Sequence, residues 1–338
     1  MVDYGFLLGK LAPEMVEVVQ RRYNILRAIA YLQPVGRRVL AEKLGLQERA
    51  VRNDVELLKE QELILAEVKG MTITPLGEKI LKELSNILHS FRGLGNIERD
   101  LASFLGLERV IIVPGDFEHD PLAKRELGRV AALHLNEVIK KVKTIAIAGG
   151  TTLAELANHI IPQNRQDLLV LPARGGLGEQ VEIQANTIAA KIAKNLGASY
   201  RLLHAPDYMS QKSAEQLAQD PYIAPTIQLI RETEVLIHGI GNVYEMAKRR
   251  GMGKEEIEKL ISLGAKGEAF GYYFDQQGSS VYSTPSIGLK LVDLGKIKKI
   301  IAIAGGRSKA EAIKAVTKAG FIHWLIIDEG AAEEIING

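Results

Sequence analysis

Two copies of one hexapeptide, IAIAGG, each end an apolar segment of this sequence on a pair of glycines. Glycine removes the side chain that would keep an anion away from backbone N–H groups, and hydroxyl or cationic groups at a helix start add further donors. Such a turn favours the binding of a phosphate group. The residues that the two turns contribute are Gly149, Gly150, Thr151 and Thr152 from the first copy and Ser308 and Lys309 from the second.

Four more residues could complete a site for a phosphorylated, hydroxyl-bearing ligand. Arg174 stands in the glycine-rich stretch PARGGLGE, where its forked guanidinium suits a phosphate. Arg250 follows the stretch HGIGN and one helix, and it could hold a second phosphate. Glu268 and Gln184 offer the carboxylate and amide groups that sugar hydroxyls need as partners. Four glycine-rich turns with cations among them therefore predict a small polyhydroxy phosphate as the ligand.

Ordinary structural roles compete with this interpretation. Thr152-x-x-Glu155 and Ser308-x-x-Glu311 both fit the capping box that any helix can carry. Glu268 and Arg250 could instead lie on the solvated surface. The glycine spacing matches neither GxxxxGK[ST] nor GxGxxG after the first strands, so ATP and NAD are disfavoured and no cofactor is expected.

The amino-acid composition restricts which other kinds of site and partner are possible. Of the 338 residues, 46% are hydrophobic and 25% are charged, which is typical of a globular protein. With no cysteine and no HxxxH spacing among seven histidines, we expect neither disulfides nor a metal centre, and a cytoplasmic location is favoured. No apolar run reaches the ~18 residues of a membrane span. The net charge of +2 is small, so a nucleic-acid partner must be argued from local charge.

Beyond residue 110, apolar strands alternate with amphipathic helices. Continuous apolar runs of this kind are typical of a parallel sheet covered on both faces, so the pattern predicts a doubly wound, Rossmann-like α/β domain. Ligands bind such domains beyond the carboxyl ends of the strands, where the glycine turns lie. The predicted strands fall within 110–113, 144–150, 167–176, 200–206, 234–241, 298–306 and 324–330, and the predicted helices over 121–140, from about 152, over 183–196 and 242–250, and from about 309.

The first ninety residues predict a different kind of domain. A helical pattern from Leu11 to Ile29 is followed by two short helices joined at Gly45, which is the order of a helix-turn-helix. Two β-prone runs then pivot on Lys69-Gly70, and Thr74 before a proline is suited to cap the next helix. Helix, helix-turn-helix and hairpin together predict a winged-helix domain.

Positive charge is concentrated in the helix-turn-helix. Residues 37–52 carry five basic against two acidic side chains in a chain that is nearly neutral. The start of a second helix is where a recognition helix meets base edges, and the preceding helix can meet phosphates. The alternative is a helical interaction domain with a solvated basic face. The residues predicted to bind DNA are Arg37, Arg38, Arg49, Arg52 and Asn53.

These patterns predict a winged-helix domain over 1–90, a linker and first strand over 91–115, and a sugar-phosphate-binding effector domain over 116–338. Combined, the sequence blocks also resemble one family, the SorC-type sugar-responsive transcription regulators. The blocks that carry the resemblance are GRR and LKEQ near the N-terminus and AGGTT, PARGGLGE, QANTI, YRLL, HGIG, EAFGYYF, AGGRSKAEAI and DEGAA beyond it.

The resemblance implies that the second domain is similar to phosphosugar isomerases, with fructose 1,6-bisphosphate as inducer and dihydroxyacetone phosphate or similar metabolites as weaker ligands. It also implies operator DNA as partner and assembly into dimers or tetramers. Phosphate would be bound by the threonines, arginines and lysine named above, and Glu268 would take a sugar hydroxyl. Arg307 departs from the family pattern, and its role is left open.

The sequence thus favours a repressor whose operator affinity is set by a sugar bisphosphate that bridges the turns of both IAIAGG copies and changes how subunits pair. One alternative is an enzyme, a sugar-phosphate isomerase or deaminase. Its nominal acid-base candidates are His204, Asp207, His238 and Glu268, which form no recognisable motif. Another alternative is a DNA-binding scaffold whose pocket has lost its ligand.

Overall fold

The computed structural model describes residues 4–177 and 180–338. The chain divides into two compact units, Met1–Ile97 and Glu98–Gly338. The domain limits at residues 90 and 115 that the sequence suggests stay predictions. Within the described ranges, no helix combines the length and the apolar character that crossing a membrane requires.

The first unit contains the elements of the predicted winged helix. Gly45 takes a left-handed φ of 62° in the turn between the third and fourth helices, which bury Leu40 and Val51. The Thr74 hydroxyl accepts a hydrogen bond from the N–H of Gly77 at 3.0 Å, which confirms the predicted cap. The elements are α1 (Tyr4–Leu11), α2 (Pro13–Leu32), α3 (Arg37–Leu44), α4 (Glu48–Glu60), β1 (Ile64–Glu67), β2 (Gly70–Ile73) and α5 (Pro75–Phe91), with α6 (Leu94–Leu105) spanning the division between the units.

The first long helix differs from the prediction. The periodicity predicts one helix from Leu11 to Ile29, whereas α1 ends at Leu11 and α2 runs from Pro13 to Leu32. Pro13 occupies the first turn of α2. Because proline lacks the N–H that an unbroken helix needs at this point, the chain starts a new helix there.

The second unit is built on a parallel sheet of seven strands, as the sequence predicts. After the edge strand, the chain places the next strands on one side of β4 (Thr144–Ile147) and the later ones on the other, beginning with β7 (Val235–Gly239), so the strand order reverses between β4 and β7. The carboxyl ends of these two strands therefore form the crevice where doubly wound domains bind ligands. The strands, in spatial order, are β3 (Arg109–Val113), β12 (Trp324–Asp328), β11 (Lys299–Ile303), β7 (Val235–Gly239), β4 (Thr144–Ile147), β5 (Leu169–Pro172) and β6 (Ser199–Tyr200).

Helices cover the sheet. Leu127, Leu153 and Ile188, from three successive helices, pack in one buried cluster with Ile145 and Ile237 of the sheet. This burial on a helix-covered face explains why the central strands are apolar along their whole length. The helices of the second unit are α7 (Pro121–Val138), α8 (Thr151–Asn158), α9 (Ala185–Leu196), α10 (Gln211–Gln219), α11 (Ala224–Arg231), α12 (Val243–Arg249), α13 (Lys254–Ser262), α14 (Ala310–Lys318) and α15 (Glu329–Asn337).

Several elements were not expected from the sequence. A three-stranded antiparallel sheet consists of β8 (Ala265–Ala269), β9 (Tyr272–Asp275) and β10 (Ser280–Ser283). The helices α10, α11 and α13 were also missed. The strand predicted within 200–206 shrinks to the last residue of β6, and the chain beyond it is irregular. The antiparallel sheet carries Glu268, so the missed element positions one of the predicted site residues.

Candidate anion-binding cavity and nucleic-acid interface

A cavity of about 660 Å³ opens at the carboxyl ends of the central strands. Segments that follow β4, β5 and β7 form its walls, together with the end of α12 and the hairpin residue Phe270. This is the position at which the strand order reverses. Of the residues predicted to bind an effector, the cavity is lined by Gly149, Gly150, Thr151, Thr152, Arg174, Arg250, Glu268 and Lys309.

The first glycine turn leaves a helix start open to the cavity. Gly150 has a φ of 132° and is the N-cap of α8, and no side chain caps this end among the described residues. An added Cβ on Gly149 would lie 2.8 Å from the carbonyl oxygen of Ile183, so only glycine fits there. Thr151 and Thr152 begin the helix, and the capping box suggested for Thr152 does not form. Free N–H groups and hydroxyls of this first turn can therefore donate to an anion.

The second glycine turn faces carboxylates of the protein itself. The N–H of Gly306 donates to Asp328 Oδ1 at 3.0 Å. The Ser308 N–H and hydroxyl both donate to Glu118 Oε1, at 3.0 and 2.5 Å. Ser308 is therefore not brought to the cavity, and the capping box suggested for it is absent because α14 begins after Lys309. Of this turn, only Lys309 reaches the cavity.

Arg307 is engaged outside the cavity. Its Nε donates to Asp116 Oδ2 at 2.8 Å, and its Nη2 pairs with Glu333. Hydrogen bonds from the Glu118 N–H and from Arg307 outweigh the effect of burial and lower the pKa of Asp116 to about 2. This cation therefore fastens the second turn to the chain around it and adds no charge to the cavity lining.

Arg174 and Arg250 belong to a buried network of two cations and two carboxylates. Arg174 Nε donates to Asp207 Oδ1 at 2.7 Å, and Arg250 Nε donates to Asp207 Oδ2 at 2.9 Å. Arg250 Nη2 also donates to Glu268 Oε1 at 2.8 Å. All four residues are at most 8% exposed. A phosphate that displaced one of these carboxylates would leave it buried and unpaired, at a cost of about 3–5 kcal/mol.

Arg174 is held especially tightly. Its Nη1 donates to the Phe270 carbonyl, and its Nη2 lies within 3.4 Å of acceptors on Thr284 and Asp207. An added Cβ on Gly271 would collide with the guanidinium, so the hairpin turn requires glycine here. Arg174 thus ties the segment after β5 to the turn between β8 and β9.

Three cations at the cavity have no carboxylate partner among the described residues. Lys309 is half-buried; burial lowers its pKa, while the nearby Glu245 carboxylate acts in the opposite sense. Lys248 and Arg249 are exposed side chains of α12 that line the same cavity. Neither residue was predicted from the sequence, although the run of three basic residues at 248–250 is a signal that could have indicated them.

Gln184 lies beside the cavity and does not line it. It is the N-cap residue of α9, and an added Cβ on Gly176 would lie 3.1 Å from its Oε1. Gly176 is itself a lining residue. Gly178 of the same glycine-rich stretch lies outside the described residues. Gln184 thus lies between two lining residues, Ile183 and Ala185, with its side chain against Gly176.

Each acid-base candidate of the enzyme alternative is ion-paired, fully buried or outside the cavity lining. Complete burial lowers the pKa of His238 to about 4, and its Nδ1 donates to the Gly239 carbonyl at 2.9 Å. Asp207 is occupied by two arginines, and His204 is exposed and is not a lining residue. Asp207 and Glu268 lie together through Arg250, but both carboxylates are engaged in ion pairs with this arginine.

In the first unit, the residues predicted to meet DNA are exposed on α3 and α4. Arg49, Arg52 and Asn53 lie on the face of α4 opposite the buried Val51 and Val55. The two arginines that begin α3 are also exposed, and they make only long ion pairs of 3.6 and 3.8 Å with α4. Such a face can reach a DNA groove and its phosphates.

A buried carboxylate fixes the exposed face of α4. Asp54 is 2% exposed and accepts hydrogen bonds from Arg21 Nε at 2.6 Å and from Arg22 Nε at 3.0 Å, both on α2. Burial alone would raise the pKa of Asp54, but these two guanidiniums outweigh it and hold the pKa below its ordinary value. The ion pairs therefore attach α4 to α2 in one orientation.

Comparison with known families identifies the kind of each domain. Residues 18–88 match the family model of the CggR N-terminal DNA-binding domain, and residues 89–337 match that of a sugar-binding domain. The fold, the basic helical face and the cavity thus define a transcriptional regulator with a DNA-binding domain and a sugar-binding domain. The class is that of a regulator and not of an enzyme.

Individual relatives identify the family of transcriptional regulators to which this chain is similar. The central glycolytic genes regulator of Priestia megaterium is 44% identical over 97% of this chain and 96% of its own length, and that of Bacillus subtilis is 39% identical with the same coverage. A crystal structure of a SorC family transcriptional regulator from Enterococcus faecalis is 39% identical, has a TM-score of 0.66, and covers 71% of this chain and 99% of its own. The chain belongs to the SorC family and, within it, to the central glycolytic genes regulators.

A second solved structure extends the likeness in fold to both units. The full-length sorbitol operon regulator SorC from Klebsiella pneumoniae covers 95% of this chain and 98% of its own, with a TM-score of 0.67. Its identity is 16%, so the likeness concerns the fold alone. The order of a winged-helix domain followed by a parallel-sheet domain is therefore shared over nearly the whole chain.

Proposed function

We propose that this protein represses glycolytic genes and is released from its operator by a sugar bisphosphate, fructose 1,6-bisphosphate in particular. The observation that carries the proposal is the coincidence, at one cavity, of an open helix start and cations without carboxylate partners. The names of the two regulators from Priestia megaterium and Bacillus subtilis support glycolytic genes as the target. As a regulator that binds DNA, the protein would act in the cytoplasm.

The number of donors favours two phosphate groups. One phosphate carries a charge of about −1.5 to −2 at neutral pH. Lys309 and the first turn of α8 are sufficient for one such group, and Lys248 and Arg249 then remain for a second. A monophosphate such as dihydroxyacetone phosphate would use only part of this set and should bind more weakly.

In this proposal Arg249 replaces Arg250 as the ligand of the second phosphate. The two residues are adjacent, but Arg250 is buried among carboxylates whereas Arg249 is exposed. Arg174 likewise acts as a structural tie. Thr151, Thr152 and Lys309 keep the roles predicted for them, and Glu268 would accept a hydrogen bond from a sugar hydroxyl.

The bisphosphate would act by changing how subunits pair as dimers or tetramers, which alters the spacing of recognition helices on DNA. A ligand can shift such an equilibrium only by its difference in affinity for the two assemblies. Operator binding and bisphosphate binding should therefore weaken one another by the same factor.

A mobility-shift titration on the DNA upstream of the protein's own gene tests the function. We expect a retarded complex that fructose 1,6-bisphosphate weakens and that fructose 6-phosphate at the same concentration weakens less. The Arg249→Gln variant should still bind the DNA but respond poorly to the bisphosphate. An operator complex that no sugar phosphate affects would contradict the proposal, as would equal responses to both sugars.

A further inference from the structure

The two carboxylate oxygens of Glu268 have different surroundings. Oε1 accepts hydrogen bonds from Arg250 Nη2 at 2.8 Å and from the N–H of Gly271 at 2.5 Å. Oε2 accepts none from the described part of the chain, and it lies beside Gly241, where an added Cβ would be 3.4 Å away. Gly241 and Glu268 both line the cavity. The protein therefore fixes one oxygen and leaves the other for a donor that enters the cavity.

Asp207 forms an ion pair with Arg250, which in turn forms an ion pair with Glu268. Its Oδ2 accepts from Arg250 Nε at 2.9 Å, and its Oδ1 accepts from Arg174 Nε at 2.7 Å. The side chains of Arg250, Asp207 and Glu268 are each at most 4% exposed. Buried charge-assisted hydrogen bonds of this kind restrict each side chain to one conformation. Turning Arg250 toward a phosphate would break both of its ion pairs and leave buried charges unpaired.

We propose that Arg250 and Asp207 are positioning residues, which hold the Glu268 carboxylate so that its Oε2 selects ligands that carry a hydroxyl group. This inference rests on the function proposed above, because it concerns the same cavity. A cavity wall that offers a fixed acceptor discriminates against a ligand without the donor, since the acceptor then stays unsatisfied. The phosphates of either ligand are bound elsewhere, by the first turn of α8, Lys309 and Arg249.

Two bisphosphates that differ in their hydroxyl groups test the inference. Fructose 1,6-bisphosphate carries hydroxyls between its phosphates, whereas the bisphosphate of hexane-1,6-diol has the same number of carbons and none. Isothermal titration calorimetry with the full chain would measure both dissociation constants. For the wild type we expect the sugar to bind about 10–150-fold more tightly, the range of one hydrogen bond to a charged group.

Arg250→Gln and Asp207→Asn should each remove most of this preference. The affinity for the hydroxyl-free bisphosphate should stay at the wild-type value, because its phosphates do not touch either residue. Arg250→Lys restores a positive charge beside Asp207 and Glu268, so part of the preference should return. These changes in selectivity are not expected from a residue that only supports folding.

A phosphate-binding role for Arg250 predicts other results. Arg250→Gln would then weaken both bisphosphates by the same factor and keep the preference for the sugar. Asp207→Asn would free the guanidinium and strengthen both. Either result overturns the inference. Arg249→Gln is the matched control, which should weaken both ligands equally and keep the preference.

Loss of a buried ion pair can also prevent folding, so thermal melts followed by the fluorescence of Trp324 accompany each variant. If Arg250→Gln does not fold, the nearly isosteric Glu268→Gln variant is tested in its place. An unchanged preference of that variant for the sugar over the hydroxyl-free bisphosphate overturns the inference. Equal binding of both bisphosphates by the wild type overturns it as well, while the proposed function stands. Binding of neither bisphosphate by the wild type contradicts the proposed function itself.

Discussion

Replacing Lys309 with glutamine should weaken bisphosphate binding and leave operator binding unchanged in the absence of ligand. Lys309 is half-buried at the cavity, and its ammonium group makes no hydrogen bond or ion pair with any described residue. Its ammonium group is thus free for a phosphate. A hydrogen bond between charged partners contributes about 1.5–3 kcal/mol, so we expect a loss of about 10–150-fold in affinity. Isothermal titration calorimetry with fructose 1,6-bisphosphate measures it directly.

The same residue makes binding depend on pH. Burial lowers the pKa of Lys309 in the free protein, and a bound phosphate anion raises it again because it stabilises the ammonium form. The stabilisation by Lys309 is therefore complete below the free pKa and is lost as the pH rises through the bound pKa. Affinity should fall as the pH rises through the pKa values of Lys309, and the uptake of protons on binding should appear as a dependence of the calorimetric heat on buffer ionisation.

Lys296→Gln is the matched control for this experiment. Lys296 is an exposed lysine of the same unit that does not line the cavity. Its loss removes the same formal charge, so any long-range effect of net charge should be similar in both variants. Equal affinities of Lys309→Gln and Lys296→Gln for the bisphosphate, or a wild-type pH profile in Lys309→Gln, would refute the assignment of Lys309 to a phosphate.

Three further predictions concern both units. Arg52→Ala should weaken operator binding in a mobility shift without changing calorimetric affinity for the bisphosphate; unchanged operator affinity contradicts its role. Thr152→Val should keep operator binding but blunt release by the bisphosphate, and a normal response removes Thr152 from the site. Asp54→Asn should lower the free energy of unfolding by about 2–3 kcal/mol at neutral pH, less than a fully buried pair because Arg21 and Arg22 are partly exposed. Since the pKa of Asp54 is lowered on folding, this difference should vanish as the pH falls through it, and urea melts that show a constant difference would argue against the ion pairs.

The parallel sheet could be predicted because burial leaves a direct mark on its sequence. Ile145, Ile147 and Ile237 are fully buried, and strands with both faces covered become continuous apolar runs. The antiparallel sheet leaves no such mark, since its strands mix glycine, serine, tyrosine and charged residues. Its tight turn also places Phe270 at a φ of 37°, a conformation that no sequence rule favours for a bulky residue.

The position of the cavity could be predicted from the sequence, but the pairing of its charged side chains could not. Glycine turns at strand ends can be recognised from local spacing, whereas ion-pair partners come from distant parts of the chain. Arg250 was chosen from its position after the stretch HGIGN and one helix, whereas its pairing with Asp207, 43 residues away, shows that it is buried among the protein's own carboxylates. Arg249, its neighbour at the end of the same helix, is exposed and lines the cavity with no carboxylate partner among the described residues. Sequence therefore locates the basic segment, and tertiary contacts decide which of its members can bind.

The two IAIAGG turns show how far a shared motif determines a shared role. Their second glycines adopt similar backbone angles, with φ values of 132° at Gly150 and 106° at Gly306. The first turn starts a helix that no described side chain caps, while the second donates to Asp328 and Glu118. A turn that can bind an external anion thus binds the protein's own carboxylates when these are brought within reach. Among the described residues of the second turn, Lys309 alone lines the cavity, so under the proposed function the contact between a bisphosphate and this turn should depend on that one side chain.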